Sequence, residues 1–529
     1  MTRDRLLTGV LFAGLIASVT VFLVERLKDI ASPFEIVYGE GLLWYQTYIV
    51  LNGIPLYKSV TSTEYYIIPH TPLFVIICSW FSSIFGDTLT VGRALSLVCG
   101  FGICVVVYLI TKRLTGNSIV SLLAGLLVVT TYVFRFLVPI YRLDSMGLML
   151  SLLGIYLFME FEERGKLVYW TIPVFVLAFF TKQVFVVAPV AVCIYLFVKN
   201  RWRVLPSLKF GGLYLVLLSI GLLIGGLLTN WELIIHNFLY MTRDVGVEQN
   251  WTHYLLNLDF LLSWHAPLLL GVLGYFGYKI YKRKPLILVD IYFLGGLVVA
   301  LALIGKLGGG FHYGFEMVAV GCILVGLLMD KAFRVFRERE LNIKQIGVGA
   351  VVFVIVGFQI IGIPFGWNFF TYEYLDTNEE GMNQLVSKLQ EVEGPVFAYI
   401  FATPMDLAGR IEEWIPWEYP LFTAGIHKEE GRLGWDQSDM VEKLETGYYQ
   451  LAVFEHDVEF VWRNDPSVYW VGLSRQKISR EVATALLENF KFVLRTEAVG
   501  TNRFPMRYYI YQYDGIGMLD YEKGIQIYK

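Results

Sequence analysis

Ionisable side chains are sparse in the first 370 residues, and outside a few basic clusters they fall where long apolar runs begin or end. Glu40, Glu64, His70, Arg93, Arg142, Asp144, Lys182, Lys306, His312 and Glu316 form this set. Such groups are costly to hold at a membrane boundary and are functional candidates by default. Acids and bases gathered at the mouths of several helices suit a small polar molecule or a lipid headgroup. Glu40 stands between Gly39 and Gly41, which leaves its carboxylate room to approach a ligand closely. It equally fits a helix N-terminal carboxylate stabilised by the dipole. Asp144 lies two positions beyond Arg142 and can neutralise or orient it. Lys182 and Lys306 can also snorkel to the interface, and Arg93 can anchor its helix end. His312 and Tyr313 follow three glycines, a turn able to come close to a ligand. As metal ligands, His312 and His70 lack partners at helical spacing.

The elements that must position these residues are membrane helices. The chain of 529 residues is 56% hydrophobic, 16% aromatic and only 17% charged, with mean hydropathy +0.56. A soluble protein carries about a quarter charged residues, and the net charge of -3 gives no general pull toward nucleic acid. The apolar character is confined to residues 1–370, whereas 371–529 read as an ordinary globular domain. Intervals long and apolar enough to span are 7–24, 92–111, 118–138, 145–161, 168–185, 186–198, 210–229, 260–280, 286–305, 313–330 and 345–364, about eleven in all. The run 67–85, broken by Pro69 and Pro72, fits an interfacial or partly inserted helix better. Basic clusters at 112–113, 164–166, 199–203, 279–284 and 334–344 fall in alternate loops and, with Arg3 and Arg5, mark the cytoplasmic side. The candidate residues and the C-terminal domain then lie outside. Cys78, Cys99, Cys104, Cys193 and Cys322 all sit in apolar runs, without metal or disulfide spacing.

In the first external loop, residues 38–57 predict an amphipathic surface helix anchored by Trp44 and Tyr48 and ending at Asn52-Gly53. The loop 230–259 is aromatic and fits a lid, an acceptor surface or a membrane-interface belt. The tail predicts helices at 377–391, 440–445 and 478–490, alternating with strands at 396–400, 451–454, 492–495 and 507–513, hence a small α/β domain.

Several motifs, in this order and on one side, resemble the GT-C class of membrane glycosyltransferases. They are the Tyr38-Gly39-Glu40-Gly41 run, the helix leading to Gly53-Ile54-Pro55-Leu56-Tyr57, and Pro69-His70-Thr71-Pro72-Leu73. Gly92-Arg93-Ala94-Leu95-Ser96, Tyr141-Arg142-Leu143-Asp144-Ser145, Thr181-Lys182-Gln183 and Gly305–Tyr313 ahead of Glu316 continue the series, with Trp435-Asp436 in the tail. The closest resemblance is to the branch with the protein O-mannosyltransferases and aminoarabinose transferases. It implies an inverting transfer of a sugar from a polyprenyl (dolichyl or undecaprenyl) phosphate to a glycan, lipid or protein acceptor at the outer face of the cell membrane. Glu40 takes the family's acidic position as catalytic base, or as ligand of a possible divalent cation. Relatives that use the metal show a paired acid in this loop, whereas here glycines flank a single one. Arg142, Lys182 and Lys306 become phosphate-binding candidates. Asp144, Gln183, His312, Tyr313 and Glu316 become sugar or acceptor contacts, with Glu316 also able to pair with Lys306. No cofactor other than that cation is implied.

A transporter or lipid flippase is the competing reading. It predicts charges near the bilayer midplane and internal repeats or broken helices; the candidate charges instead cluster at helix ends, and no repeat stands out. A sensor with an external ligand-binding domain is a further alternative.

Overall fold

In this computed structural model, the described residues are 3–36, 39–59, 68–86, 88–240, 251–305, 310–337 and 357. In the C-terminal part they are 379–398, 402–410, 438–454, 458, 470–471, 476–477, 480–496 and 508–515. The chain divides into two compact units. The first joins Met1–Ala31, His70–Ile224 and Val247–Phe369, and the second joins Ser32–Pro69, Gly225–Gly246 and Phe370–Lys529.

The first unit is helical. Its helices are α1 (Arg3–Ala31), α3 (Leu73–Phe85), α4 (Thr88–Thr115), α5 (Ser118–Val129), α6 (Tyr132–Leu137), α7 (Asp144–Phe161), α8 (Ile172–Thr181), α9 (Val187–Lys199) and α10 (Val204–Leu228), whose last residues pass into the second unit. Trp251–Trp264, Ala266–Tyr281, Leu288–Leu303 and Phe315–Arg337 follow. α2 (Gly39–Leu51) belongs to the second unit. Among the described residues, five helices are long and apolar enough to cross a membrane, or six if one bent pair counts as a span. Shorter apolar helices lie at Leu73–Phe85, Ser118–Val129, Gly165–Thr181, Val187–Lys199 and Leu288–Leu303. The expected span 345–364 lies, apart from Gly357, outside the described residues. α10 shows why these helices need lipid: Leu205, Leu208, Leu215, Val216 and Leu227 are all exposed on it. A helix apolar all round is stable only in an apolar surrounding.

Two of the expected spans are interrupted. The interval 260–280 is not one straight helix but two segments bent by 74° at Trp264–Ala266. Pro267, at the start of the second segment, supplies no N–H and cannot continue the first. His265 fills the break, with Nδ1 on the Leu261 carbonyl at 2.9 Å and Nε2 accepting the Val133 N–H at 3.5 Å. The interval 118–138 is likewise divided, at Thr130-Thr131, whose hydroxyls turn back on the Leu127 and Val128 carbonyls. α3, with 13 residues, rises about 20 Å, less than the ~30 Å of a hydrocarbon core.

In the second unit the C-terminal sheet has strand order β1-β2-β6-β5. β1 (Val396–Ala398) runs parallel to β2 (Leu451–Phe454), while β6 (Tyr509–Tyr513) pairs antiparallel with β2 and with β5 (Phe490–Arg495). β3 (Trp470–Val471) and β4 (Gln476–Lys477) form a separate ribbon. Helices Glu379–Glu391, Ser438–Glu445 and Arg480–Asn489 bury Met382, Leu385, Leu389, Met440, Leu444, Leu486 and Leu487. β1 and β2 are buried throughout, as continuous apolar strands should be. The small α/β fold of the tail is therefore present as its pattern predicted.

Candidate active site

The ends of α7 and α8 build an ion cluster. Asp144 opens α7, where its charge meets the positive end of the helix dipole. Lys182 follows the last residue of α8 in extended conformation (φ -159°, ψ 127°), which turns its side chain out of the helix line. Lys182 Nζ meets Asp144 Oδ1 at 2.7 Å, and Arg142 Nε meets Oδ2 at 3.2 Å. One carboxylate therefore binds both cations. The Lys182 and Asp144 side chains are each 4% exposed, but Arg142 is 22% exposed, so the arginine is the most open of the three.

Lys182 also lies over the Tyr313 ring, 5.4 Å from its centroid. Tyr313 and His312 have ring centroids 4.4 Å apart on the 3-10 turn Phe311–Gly314. His312 feels the charges of Lys182, Asp144, Arg142 and His70. The turn that carries His312 and Tyr313 is half-buried, with the Tyr313 ring against Lys182. Glu316 is apart from it in its bonding: its carboxylate accepts from the Tyr292 hydroxyl at 2.6 Å. The expected partner Lys306, like Glu64 and the Trp435-Asp436 pair, lies outside the described residues. Gln183 is half-buried directly after Lys182.

Arg93 has a structural role. It is fully buried, and its Nη1 donates to the Asp29 carbonyl at 2.8 Å in the last turn of α1, where a cation complements the helix end. Arg135, a buried cation that the sequence pattern did not single out, binds Ser18 Oγ at 2.8 Å, the Ser18 carbonyl at 2.9 Å and the Val129 carbonyl at 3.1 Å. Its position inside a strongly apolar helical run was the available signal.

The second unit holds Glu40. α2 does form and ends at Leu51, with Gly53 at φ +70° beyond it. It is not the exposed amphipathic helix expected, because Leu42, Leu43, Trp44, Gln46, Thr47 and Ile49 are all buried. Apolar residues lie all round it, and the helix Ala402–Leu407 packs against it. Glu40 is fully buried, and its Oε2 accepts the Ile36 N–H at 2.6 Å. The space beside Gly41 is taken by a second carboxylate: a Cβ there would collide with Glu35. Glu35 is also buried, so the first loop presents two carboxylates at the start of α2, not one. Among the described residues no group of three or more His, Cys, Asp or Glu side chains is placed to hold a metal ion.

His236 organises the other end of this loop. Its Nδ1 accepts the Ile68 N–H at 3.0 Å, which leaves Nε2 as the donor to the Lys58 carbonyl at 2.7 Å. Tyr57 stands edge-on to the imidazole, and Ser59 donates to Glu232.

Residues 69–224 match the model of the dolichyl-phosphate-mannose-protein mannosyltransferase family. This segment includes Arg142, Asp144, Lys182 and Gln183 but not Glu40, His312 or Glu316. No curated protein matches the sequence. Among solved structures, ArnT from Cupriavidus metallidurans in the apo state aligns with TM-score 0.52 at 13% identity, covering 88% of this chain and 98% of ArnT. ArnT bound to undecaprenyl phosphate aligns with TM-score 0.51 at 13% identity and the same coverage. The oligosaccharyltransferase of Archaeoglobus fulgidus, tethered to an acceptor peptide containing the NVT sequon, aligns with TM-score 0.52 at 11% identity, covering 94% of this chain and 80% of its own. The chain is thus a multi-pass membrane protein with a GT-C glycosyltransferase fold, and the segment holding its ion cluster carries the mannosyltransferase-family pattern.

Proposed function

We propose that the protein is an inverting glycosyltransferase that moves a sugar from a polyprenyl phosphate to an acceptor at the outer face of the membrane. The observation that carries this reading is the cluster of Arg142, Asp144 and Lys182, with two cations on one carboxylate and the arginine partly open. A lipid phosphate takes over hydrogen bonds that the cations now give to Asp144, and Arg142 can meet it in bidentate fashion. The bound undecaprenyl phosphate of ArnT, which has a similar fold, supports a ligand of this chemistry.

In the reaction, the acceptor hydroxyl oxygen attacks the anomeric carbon while the bond from that carbon to the phosphate oxygen breaks. The electron pair leaves with the polyprenyl phosphate, whose negative charge is stabilised by Arg142 and Lys182, with Lys306 assigned alongside them. Glu40 accepts the hydroxyl proton. Asp144, Gln183, His312, Tyr313 and Glu316 contact the sugar or the acceptor. Glu35 and Glu40 would supply two oxygens to a divalent cation, a suitable hard donor type; the proton transfer does not depend on it. The N-terminus is assigned to the cytoplasm, and residues 371–529 to an extracytoplasmic domain that helps choose the acceptor.

The test is turnover of a panel of radiolabelled polyprenyl-phosphate sugars with membrane extract as acceptor source, comparing wild type with Glu40→Gln. The amide keeps an oxygen for the Ile36 N–H, so the start of α2 is retained. Transfer should fall about 10²–10⁴-fold, as for loss of a general base, with melting temperature unchanged. Equal turnover in both proteins removes Glu40 from the mechanism, and no turnover with any donor argues against the transferase.

A further inference from the structure

The motif Gly92-Arg93-Ala94-Leu95-Ser96 lies on α4, remote in sequence from the ion cluster, yet two of its residues grip the segment that presents Arg142. The Ser96 hydroxyl donates to the Arg142 carbonyl at 2.9 Å and accepts the Arg142 N–H at 3.1 Å. One buried side chain thus pairs both main-chain groups of a residue that lies between α6 and α7. One helical turn earlier, on the same face, Gly92 leaves the space into which the Tyr141 ring packs; a Cβ at residue 92 would strike that ring. Tyr141 is itself fully buried and edge-on to Phe74, with centroids 5.7 Å apart. The backbone at 141–142 is therefore held from α4 by a ring in a notch and by a two-way hydrogen bond.

We infer that Ser96, with Gly92, is a positioning device that aims the Arg142 guanidinium at the phosphate of the lipid-linked donor. This rests on the assignment of Arg142 to donor phosphate binding made above. The physical need is clear from the surroundings. Arg142 stands outside regular secondary structure, so no helix ladder fixes its backbone. A long side chain keeps a bidentate geometry only if its root is fixed. Buried main-chain N–H and C=O groups must also be paired, and Ser96 does both tasks at once. Arg93, between the two, faces a different neighbour at Asp29, so the motif divides its work between holding α1 and holding residue 142.

The experiment is a double-mutant cycle on the full-length protein in detergent, with undecaprenyl phosphate as the probe in a direct binding titration. Ser96→Ala should weaken binding roughly tenfold, the effect of losing such hydrogen bonds, and Ser96→Thr should restore it by keeping the hydroxyl. Arg142→Gln should weaken binding by at least as much. In the Arg142→Gln background, Ser96→Ala should have no further effect, because it acts only through the arginine. With whichever donor supports turnover, Ser96→Ala should raise KM and also lower kcat, because the arginine it aims both binds the donor phosphate and stabilises it as the leaving group. A normal Arg142→Gln affinity would overturn the phosphate assignment itself. A weakened Arg142→Gln with unchanged Ser96→Ala, or fully additive effects of the two, would overturn the positioning role alone. If Ser96→Ala does not fold, Gly92→Ala replaces it in the same cycle, with the same loss expected and the same two overturning results.

Discussion

The two places where candidate residues gather are held in opposite ways. At Asp144, Lys182 and Arg142, side chains from separate helix ends meet charge to charge. At Glu40 and His236, side chains hold main-chain groups, with Ile36 N–H on Glu40 and with Lys58 C=O and Ile68 N–H on His236. A charge held by another charge can be exchanged for a charged ligand. A main-chain group held by a side chain has no such substitute, so those bonds set the shape of a loop. The difference assigns ligand exchange to the first region and support of a loop to the second, where Glu40 combines that support with the proton transfer proposed for it. The contrast can be broken experimentally at each region.

The largest effect is expected at Lys182. Lys182→Met leaves a buried carboxylate with one cation fewer, a change that costs about 3–5 kcal/mol where a buried pair is broken. Thermal melting in detergent should show that loss, and donor turnover should fall at least about 100-fold. Adding Asp144→Asn should return most of the stability but none of the turnover. If turnover returns too, the cluster is only a structural ion pair and the contrast with the Glu40 region collapses.

A middling effect is expected at Gly41. Gly41→Ala pushes a methyl into the Glu35 carboxylate, and overpacking a buried position costs about 1–3 kcal/mol. The loss should appear in melting temperature and should be relieved when Glu35→Ala is added. Failure of the second change to relieve it would mean that Glu35 is not what Gly41 accommodates, and would favour the ligand-access reading of this glycine.

The legibility of these regions in the sequence follows the same divide. Asp144, Arg142 and Lys182 are visible because charge is rare where apolar runs end, and a local pair such as 142 and 144 is readable from spacing. That Asp144 also holds Lys182 depends on how α7 and α8 pack, which spacing does not contain. Glu35 was missed since the signal pointed at Glu40 between two glycines, while the structure uses Gly41 to admit Glu35. Gly92 and Ser96 were visible as a motif but without a role, because their partners are a ring and a backbone forty-odd positions on. The bend at His265 had a local signal in Pro267, overridden by unbroken hydropathy. The main strands and helices of the tail were readable almost to their ends, because β1 and β2 are continuous apolar runs and the helices each bury one apolar face.

The smallest effect is expected at His236, and it depends on pH. Burial lowers the imidazole pKa from 6.5, with the Lys58 carbonyl and Glu232 pulling it the other way. The neutral ring is the one that fits, because Nδ1 must accept from Ile68 while Nε2 donates to Lys58. Protonation puts a second N–H against the Ile68 N–H and breaks the pairing. Glu232, 3.7 Å from Nε2, is a charged group that favours protonation. The stabilisation is therefore fully present above pH 6.5 and is lost as pH falls through the depressed folded pKa. Hydrogen exchange at the Ile68 amide, corrected for intrinsic rates, should speed up several-fold below that pH, matching the loss of about 1 kcal/mol carried by one hydrogen bond. His236→Phe should exchange fast at every pH. If wild-type protection stays constant down to acid pH while Lys182→Met behaves as expected, His236 is not the clasp of this loop, and the support role passes to the Ser59–Glu232 bond beside it.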